Sequence, residues 1–262
     1  MSEFLDDTSV EQVSDSVWRG NVTDRWNIGS IPNGGYLMAI AARVFREAFA
    51  HPDPLTITGH YVDKAINGPV ELDFEKIREG RSVSTGCVRF MQEGQERVRF
   101  TASYGDLAST VGETWLADTP PEWPSPDSWI HMPHTLAIHE RIDMRFAAEE
   151  GAWLNGRMTD KAEHIVLNRF ADGTELDEIG LLFFTDCVPP TVFSMYGPAG
   201  WVPTIELTVQ VRAKPAPGDL LGRFRTRYLT NGLLEEDGEL WDSNNQLVAL
   251  SRQLAKFRLP KK

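Results

Sequence analysis

The chain has 262 residues, a formal net charge of −12, and apolar and charged fractions of 41% and 24%, the balance of an ordinary soluble globular protein. The acidity argues against a nucleic-acid partner, because a phosphate backbone requires a basic face. No apolar run approaches the roughly 20 residues that a membrane span needs, and "MSEFLDDTSVEQ" is acidic where a secretory leader is basic and then apolar, so a cytoplasmic protein is expected. Two cysteines, Cys87 and Cys187, suggest no disulfide framework.

In chain order, Pro32-Asn33-Gly34-Gly35 is a turn and helix-start signal. Leu37, Ile40, Ala41, Val44 and Ala48 follow at helical spacing, with Arg43, Arg46 and Glu47 on the other face. Strand-like runs come next, over 55–62, 70–77, 84–91 and 97–104; in the last, Val98, Phe100, Ala102 and Tyr104 alternate with Arg99, Thr101 and Ser103. A segment with five prolines, from about Ala117 to Ile138, reads as a long connection. The plan then repeats: a helix expected over 176–188, and strands over 204–211, 220–229, 238–243 and 247–257. Matched positions lie about 150 residues apart, as in Thr58 with Thr208 and Gly68 with Gly218. A helix followed by four antiparallel strands, twice, predicts two curved sheets, each wrapped on a helix. Pairing them through a pseudo-twofold axis covers the edges that one half alone would expose.

Asp186 breaks the apolar pattern of the second helix. At 100° per residue it falls within about 20° of Ile179, on the centre of the apolar stripe. A carboxylate there must find donors, take up a proton or open onto a wet pocket, and either a satisfied core aspartate or a functional one fits that position. Gly34 and Gly35 serve as turn residues or, through the unpaired first-turn amides of the first helix, as donors to a developing oxyanion. Arg223, Arg225 and Arg227 share a strand face that is either solvated or, with Lys64, Arg78 and Arg81, available to phosphates. Trp26 and Trp201 are candidates to line an apolar pocket. His131, His134 and His139 match no metal-ligand spacing and read as solvated loop, so neither a metal nor a cofactor is expected.

Four pieces in order, "WNIGSIPNGGYLMAIAARVF" (26–45), "LLFFTDCVPP" (181–190), "VPTIELTVQVRAKP" (202–215) and "LVALSRQLAKFR" (247–258), resemble the double-hotdog acyl-CoA thioesterases of the acyl-CoA thioesterase II type, from about Trp18 to Leu259. The resemblance implies an α+β chain of two tandem hotdog folds. These would be an N-terminal unit over 10–116, a Pro-rich linker over 117–140 and a C-terminal unit over 141–262 that carries the catalytic residues. Asp186, Thr204 and Gln253 fall on the catalytic positions of that family, and Tyr36 follows the glycine pair where many members have glutamine, which bears on the substrate. The reaction implied is hydrolysis of an acyl-CoA to a free acid and coenzyme A. Asp186 would act on a water held by Thr204 and Gln253, with an amide at Gly34 or Gly35 receiving the oxyanion and direct attack by Asp186 as the variant. A coenzyme A thiolate leaves without prior protonation, so no histidine is required. Fatty acid metabolism and a homo-oligomer built through the sheets would be consistent with this family.

The rival readings are a non-catalytic acyl-ligand-binding protein and a hotdog enoyl-CoA hydratase. The hydratase pattern is an aspartate with a histidine five positions later, and none of the six histidines has one. A serine hydrolase lacks its Gly-x-Ser-x-Gly elbow, Gly80-Arg81-Ser82-Val83-Ser84 being the near miss.

Overall fold

The computed structural model describes residues 2–198 and 200–259; Ala199 and the last three residues of the expected 141–262 unit lie outside the described residues. The first half contains α1 (Glu3–Asp7), β1 (Glu11–Ser14), β2 (Val17–Val22), the short pair β3 (Asn27–Ile28) and β4 (Ile31–Pro32), and α2 (Gly34–Ala48). Four long strands follow: β5 (Asp53–Tyr61), β6 (Gly68–Glu79), β7 (Ser84–Gln92) and β8 (Gln95–Gly105). The second half contains β9 (Ile130–His131), β10 (Ile142–Phe146), β11 (Glu163–Phe170), α3 (Glu178–Phe184) and α4 (Phe193–Tyr196). It closes with β12 (Thr204–Val211), β13 (Leu220–Arg225), β14 (Leu229–Thr230), β15 (Leu233–Trp241) and β16 (Leu247–Lys256). Among the described residues no helix is long and apolar enough to cross a membrane.

Fourteen strands form one antiparallel sheet in the order β1-β2-β6-β7-β8-β5-β12-β16-β15-β13-β11-β10-β9, with β14 on β15. The order reads outward the same way from the β5–β12 junction. There Thr58 faces Thr208, and their hydroxyls hydrogen-bond at 2.8 Å. Gly68 and Gly218, 150 positions apart, share φ of 122°, a conformation suited to glycine. The alternation along β8 turns Val98, Phe100, Ala102 and Tyr104 inward, where all are buried.

The inner face covers two antiparallel helices. Asn33 caps α2, its Oδ1 accepting the Tyr36 amide at 2.9 Å, and ten of the fifteen helical residues are buried, as befits a helix enclosed by a sheet. α3 is capped by Asp177, whose Oδ1 accepts the Gly180 amide at 2.7 Å, and all seven of its residues are buried. α3 is shorter than the helix expected over 176–188. The amides of Asp186 and Cys187 both turn to the Phe183 carbonyl, the Thr185 hydroxyl donates back to Leu182, and Pro189 and Pro190 cannot continue the ladder. Asp186 therefore stands just beyond the helix end, not on its stripe.

Periodicity did not reveal the N-terminal arm. Phe4 of α1 is fully buried against Phe170 and Phe183, with ring centroids 4.7 and 5.3 Å away, so residues before position 10 pack on the second half of the chain. The proline-rich connection is also partly built in: β9 pairs with β10, and Ile138 and His139 are buried.

Where the C-terminal part of α2 meets the start of α3, cations meet carboxylates. Asp177 Oδ2 lies 3.2 Å from Arg43 and 3.0 Å from Arg46, Glu178 lies 2.9 Å from Arg46, and Lys214 lies 3.0 Å from Asp53. Burial pushes the Asp177 carboxyl up, but Arg43, the Gly180 amide and Arg46 together hold it below the usual carboxylate range. Asp177→Ala removes a helix cap and leaves two half-buried guanidinium groups without their shared partner. The expected loss is about 2–3 kcal/mol, read by calorimetry as a fall in Tm of roughly 4–12 °C for a chain of this size. Asp177→Asn, which can keep the cap, should lose less.

Candidate functional site

At the opposite end of the helix pair, the start of α2 lies against the end of α3. A Cβ built on Gly35 would stand 2.9 Å from Asp186 Cβ and 3.0 Å from the carbonyl oxygens of Leu182 and Phe183, so the two backbones meet at a position that only glycine fits. The Gly35 amide donates to Asp186 Oδ2 at 2.8 Å. Asn33, while capping α2 through Oδ1, uses its Nδ2 to donate to the same Oδ2 at 2.9 Å and to the Asp186 carbonyl at 3.0 Å.

The other carboxylate oxygen, Oδ1, accepts from Gln253 Nε2 at 3.2 Å, and that amide also donates to Thr204 Oγ1 at 2.5 Å. Gln253 on β16 faces Leu207 on β12, which points toward the helices. Strict alternation would turn Thr204 to the outer face. The register shifts between Thr204 and Glu206, so Thr204 comes opposite Ala255 and joins Gln253 on the inner face. Burial pushes the Asp186 carboxyl up to about 6, against the pull of the Gly35 amide, the Asn33 side chain and the Gly34 amide.

These groups open onto a cavity of about 700 Å³ whose apolar wall includes Leu37, Val188, Trp153, Leu154 and Phe193. Trp201 and Lys64, both exposed, also line it. Among the described residues no cluster of three or more His, Cys, Asp or Glu side chains could hold a metal ion.

Asp186 and Thr204 are thus each hydrogen-bonded to Gln253, which lies 67 and 49 positions away from them in sequence. Other expectations require correction. The Gly35 amide, one of the two expected to face an incoming carbonyl, is bonded to Asp186; Gly34, the other, lines the cavity beside the ring of Tyr61. Trp26 does not line the cavity: it is buried in the core, where its Nε1 donates to Asp7 at 2.8 Å. His139 is no solvated loop residue but a buried one on the cavity wall. Arg223 and Arg225 pair with Glu239, and Arg227 with Asp237, which leaves Lys64 as the one member of the proposed phosphate contacts that lines the cavity.

Two further groups on the cavity wall escaped the sequence reading. Glu236 lies opposite Gln253 on β15, so it shares the inner face; its Oε2 accepts the Thr191 amide at 2.7 Å and the Thr191 hydroxyl at 2.8 Å. Burial pushes it up to about 7. The strand parity of Glu235-Glu236-Asp237 was the available signal, since one of three consecutive acids must point inward. Tyr61, the last residue of β5, carries a buried hydroxyl with no hydrogen-bond partner among the described residues.

Comparison with known proteins identifies the family. Residues 22–105 match the model of an acyl-CoA thioesterase N-terminal domain, and residues 116–257 that of an acyl-CoA thioesterase C-terminal domain. A candidate thioesterase II of Thermobifida fusca superposes with a TM-score of 0.91 at 27% identity, over 100% of this chain and 98% of that one. A protein of unknown function with a hotdog fold from Alicyclobacillus acidocaldarius superposes with a TM-score of 0.88 at 21% identity, over the whole of both chains. An uncharacterised protein of Mycobacterium tuberculosis is 24% identical over 91% of this chain and 90% of its own length. The sheet wrapped on buried helices is a hotdog architecture, and the chain belongs to the acyl-CoA thioesterase family.

Proposed function

We propose that this protein hydrolyses an acyl-CoA thioester to a free carboxylic acid and coenzyme A, and that Asp186 is the general base. The observation that carries this reading is a half-buried carboxylate and a hydroxyl bridged by one side-chain amide, on the wall of a largely apolar cavity. The chain is on this reading two hotdog units in tandem, 10–116 and 141–262, joined through 117–140. The acyl group occupies the apolar part of the cavity, and coenzyme A approaches past Lys64 and Trp201.

The two carboxylate oxygens have different tasks. Oδ2 is held by Asn33 and Gly35, whereas Oδ1 meets only Gln253 and keeps a lone pair free. A water between Oδ1 and Thr204 Oγ1 gives its proton to Asp186 as its oxygen attacks the thioester carbon. The carbon–sulfur bond then breaks, and the pair leaves with sulfur as a thiolate stable enough to need no acid. Direct attack by Asp186 would require a carboxylate restrained by three donors to move onto the carbonyl carbon, and the general-base route needs no such movement.

The deciding assay follows free thiol released from acyl-CoAs of several chain lengths. Asp186→Asn should lower kcat by roughly 10²- to 10⁴-fold; a variant of undiminished rate contradicts the assignment. Wild type that binds acyl-CoA without releasing thiol would instead be an acyl-ligand-binding protein, and loss of enoyl-CoA conjugation without thiol would indicate hydration.

The pH profile follows from the raised carboxyl. A base works only when ionised, so kcat/KM should fall about tenfold per pH unit below about 6 and level off above it. The same shift has the opposite sign for stability. The folded state binds more protons than the unfolded chain between the ordinary carboxylate range and about 6, so this group's contribution is lost as pH rises through that window. Asp186→Asn should abolish the acid limb of the rate and flatten this part of the stability curve.

A further inference from the structure

Hydrolysis by the route above needs a donor for the thioester oxygen as it becomes an oxyanion. Three of the nearby donors are already engaged: the Gly35 amide and the Asn33 Nδ2 both bind Asp186 Oδ2, and Gln253 Nε2 is shared between Asp186 and Thr204. Tyr61 is one of the residues lining the same cavity, and its hydroxyl is buried with no partner among the described residues. A buried hydroxyl left unpaired in the folded protein is costly, and such groups call for a reason.

The surroundings of Tyr61 fix where that hydroxyl sits. Its ring meets Phe100 edge to face, with centroids 6.3 Å apart and planes at 87°. On the other side it presses against Gly34: a Cβ built there would lie 2.8 Å from the hydroxyl oxygen and 2.9 Å from Cε1 and Cζ. Two adjacent glycines thus seat two different groups at one helix start, Gly35 the Asp186 carboxylate and Gly34 the Tyr61 phenol. An aliphatic side chain at residue 34 would displace the phenol.

We infer that Tyr61 is a further catalytic residue, its hydroxyl donating to the thioester carbonyl oxygen beside the water activated by Asp186; this rests on the thioesterase reading. As the water oxygen bonds to carbon, its proton goes to Asp186 and the carbonyl electrons move onto oxygen, where the Tyr61 O–H meets them. Those electrons then reform the carbonyl and expel the thiolate, and Asp186 returns its proton to solvent. The phenol remains protonated throughout, since burial and the nearby charges of Asp186 and Glu206 hold it well above its ordinary range. It is therefore a donor and not a second base.

The test is Tyr61→Phe in the full chain, assayed by thiol release with the acyl-CoA that wild type turns over best. Loss of one oxyanion donor should lower kcat about 10²- to 10³-fold, with KM and the acid midpoint near 6 retained. Tm should be unchanged or raised, because the variant removes only an unpaired hydroxyl. Gly34→Ala should reproduce the loss of kcat by displacing the phenol. A Tyr61→Phe rate within threefold of wild type overturns the assignment while leaving the thioesterase reading intact. A loss confined to KM, or matched by a fall in Tm, overturns it in favour of a packing role. Wild type that binds acyl-CoA but releases no thiol overturns both together.

Discussion

A carboxylate taken out of water must be given donors or it takes up a proton. Asp186 meets that requirement at the seam between two helices, and much of the local structure serves it. Because its Cβ and the last carbonyls of α3 lie against the first turn of α2, residue 35 has no room for a side chain. Because its Oδ2 needs donors, the residue that caps α2 is one whose side chain accepts with one atom and donates with another, which asparagine does and serine, threonine or aspartate would not do with the same reach. The shifted register of β12 brings Thr204 to the same side of the sheet, and Gln253 links it to Oδ1.

The two ends of the helix pair show what the choice of partner does. Asp177 and Asp186 flank the same short helix, one just before it and one just after. Asp177 is surrounded by guanidinium groups and lies below the usual range; Asp186 has only neutral donors, and burial takes it up to about 6. The backbone frame is close to symmetric about the β5–β12 junction, with Thr58 against Thr208 and matching glycines at 68 and 218. The side chains are not. Lys214 sits 150 positions after Lys64 and is tied to Asp53 and Glu178, whereas Lys64 lines the cavity. One end of the helix pair is locked by charge, and the other is left able to change its protonation.

Much of the frame is legible in the sequence. Alternation in Val98–Tyr104, the Asn33-Gly34-Gly35 start of α2 and the Thr58–Thr208 offset each follow from a local rule about strands, caps or repeats, and the same positions carry these roles in the fold. The site was legible as a set of residues but not as an arrangement. Helical periodicity cannot see that Thr185 turns its hydroxyl back on Leu182, so it places Asp186 on a stripe that Asp186 does not occupy. Nor can it see that a first-turn amide is already bonded. Trp26 has the composition of a pocket residue, yet a partner 19 positions earlier, Asp7, draws it into the core. Tyr61 and Glu236 are ordinary strand residues until the sheet closes around them.

Asp186 is an ionisable carboxylate held in place by uncharged donors. Carbon-13 NMR of the protein labelled at its aspartate side-chain carboxyls, with the Asp186 resonance identified by its absence in Asp186→Asn, observes that directly. The expected result is a titration with its midpoint near 6. A midpoint in the ordinary carboxylate range, near 4, would show that the carboxylate is solvated or neutralised, and would contradict it.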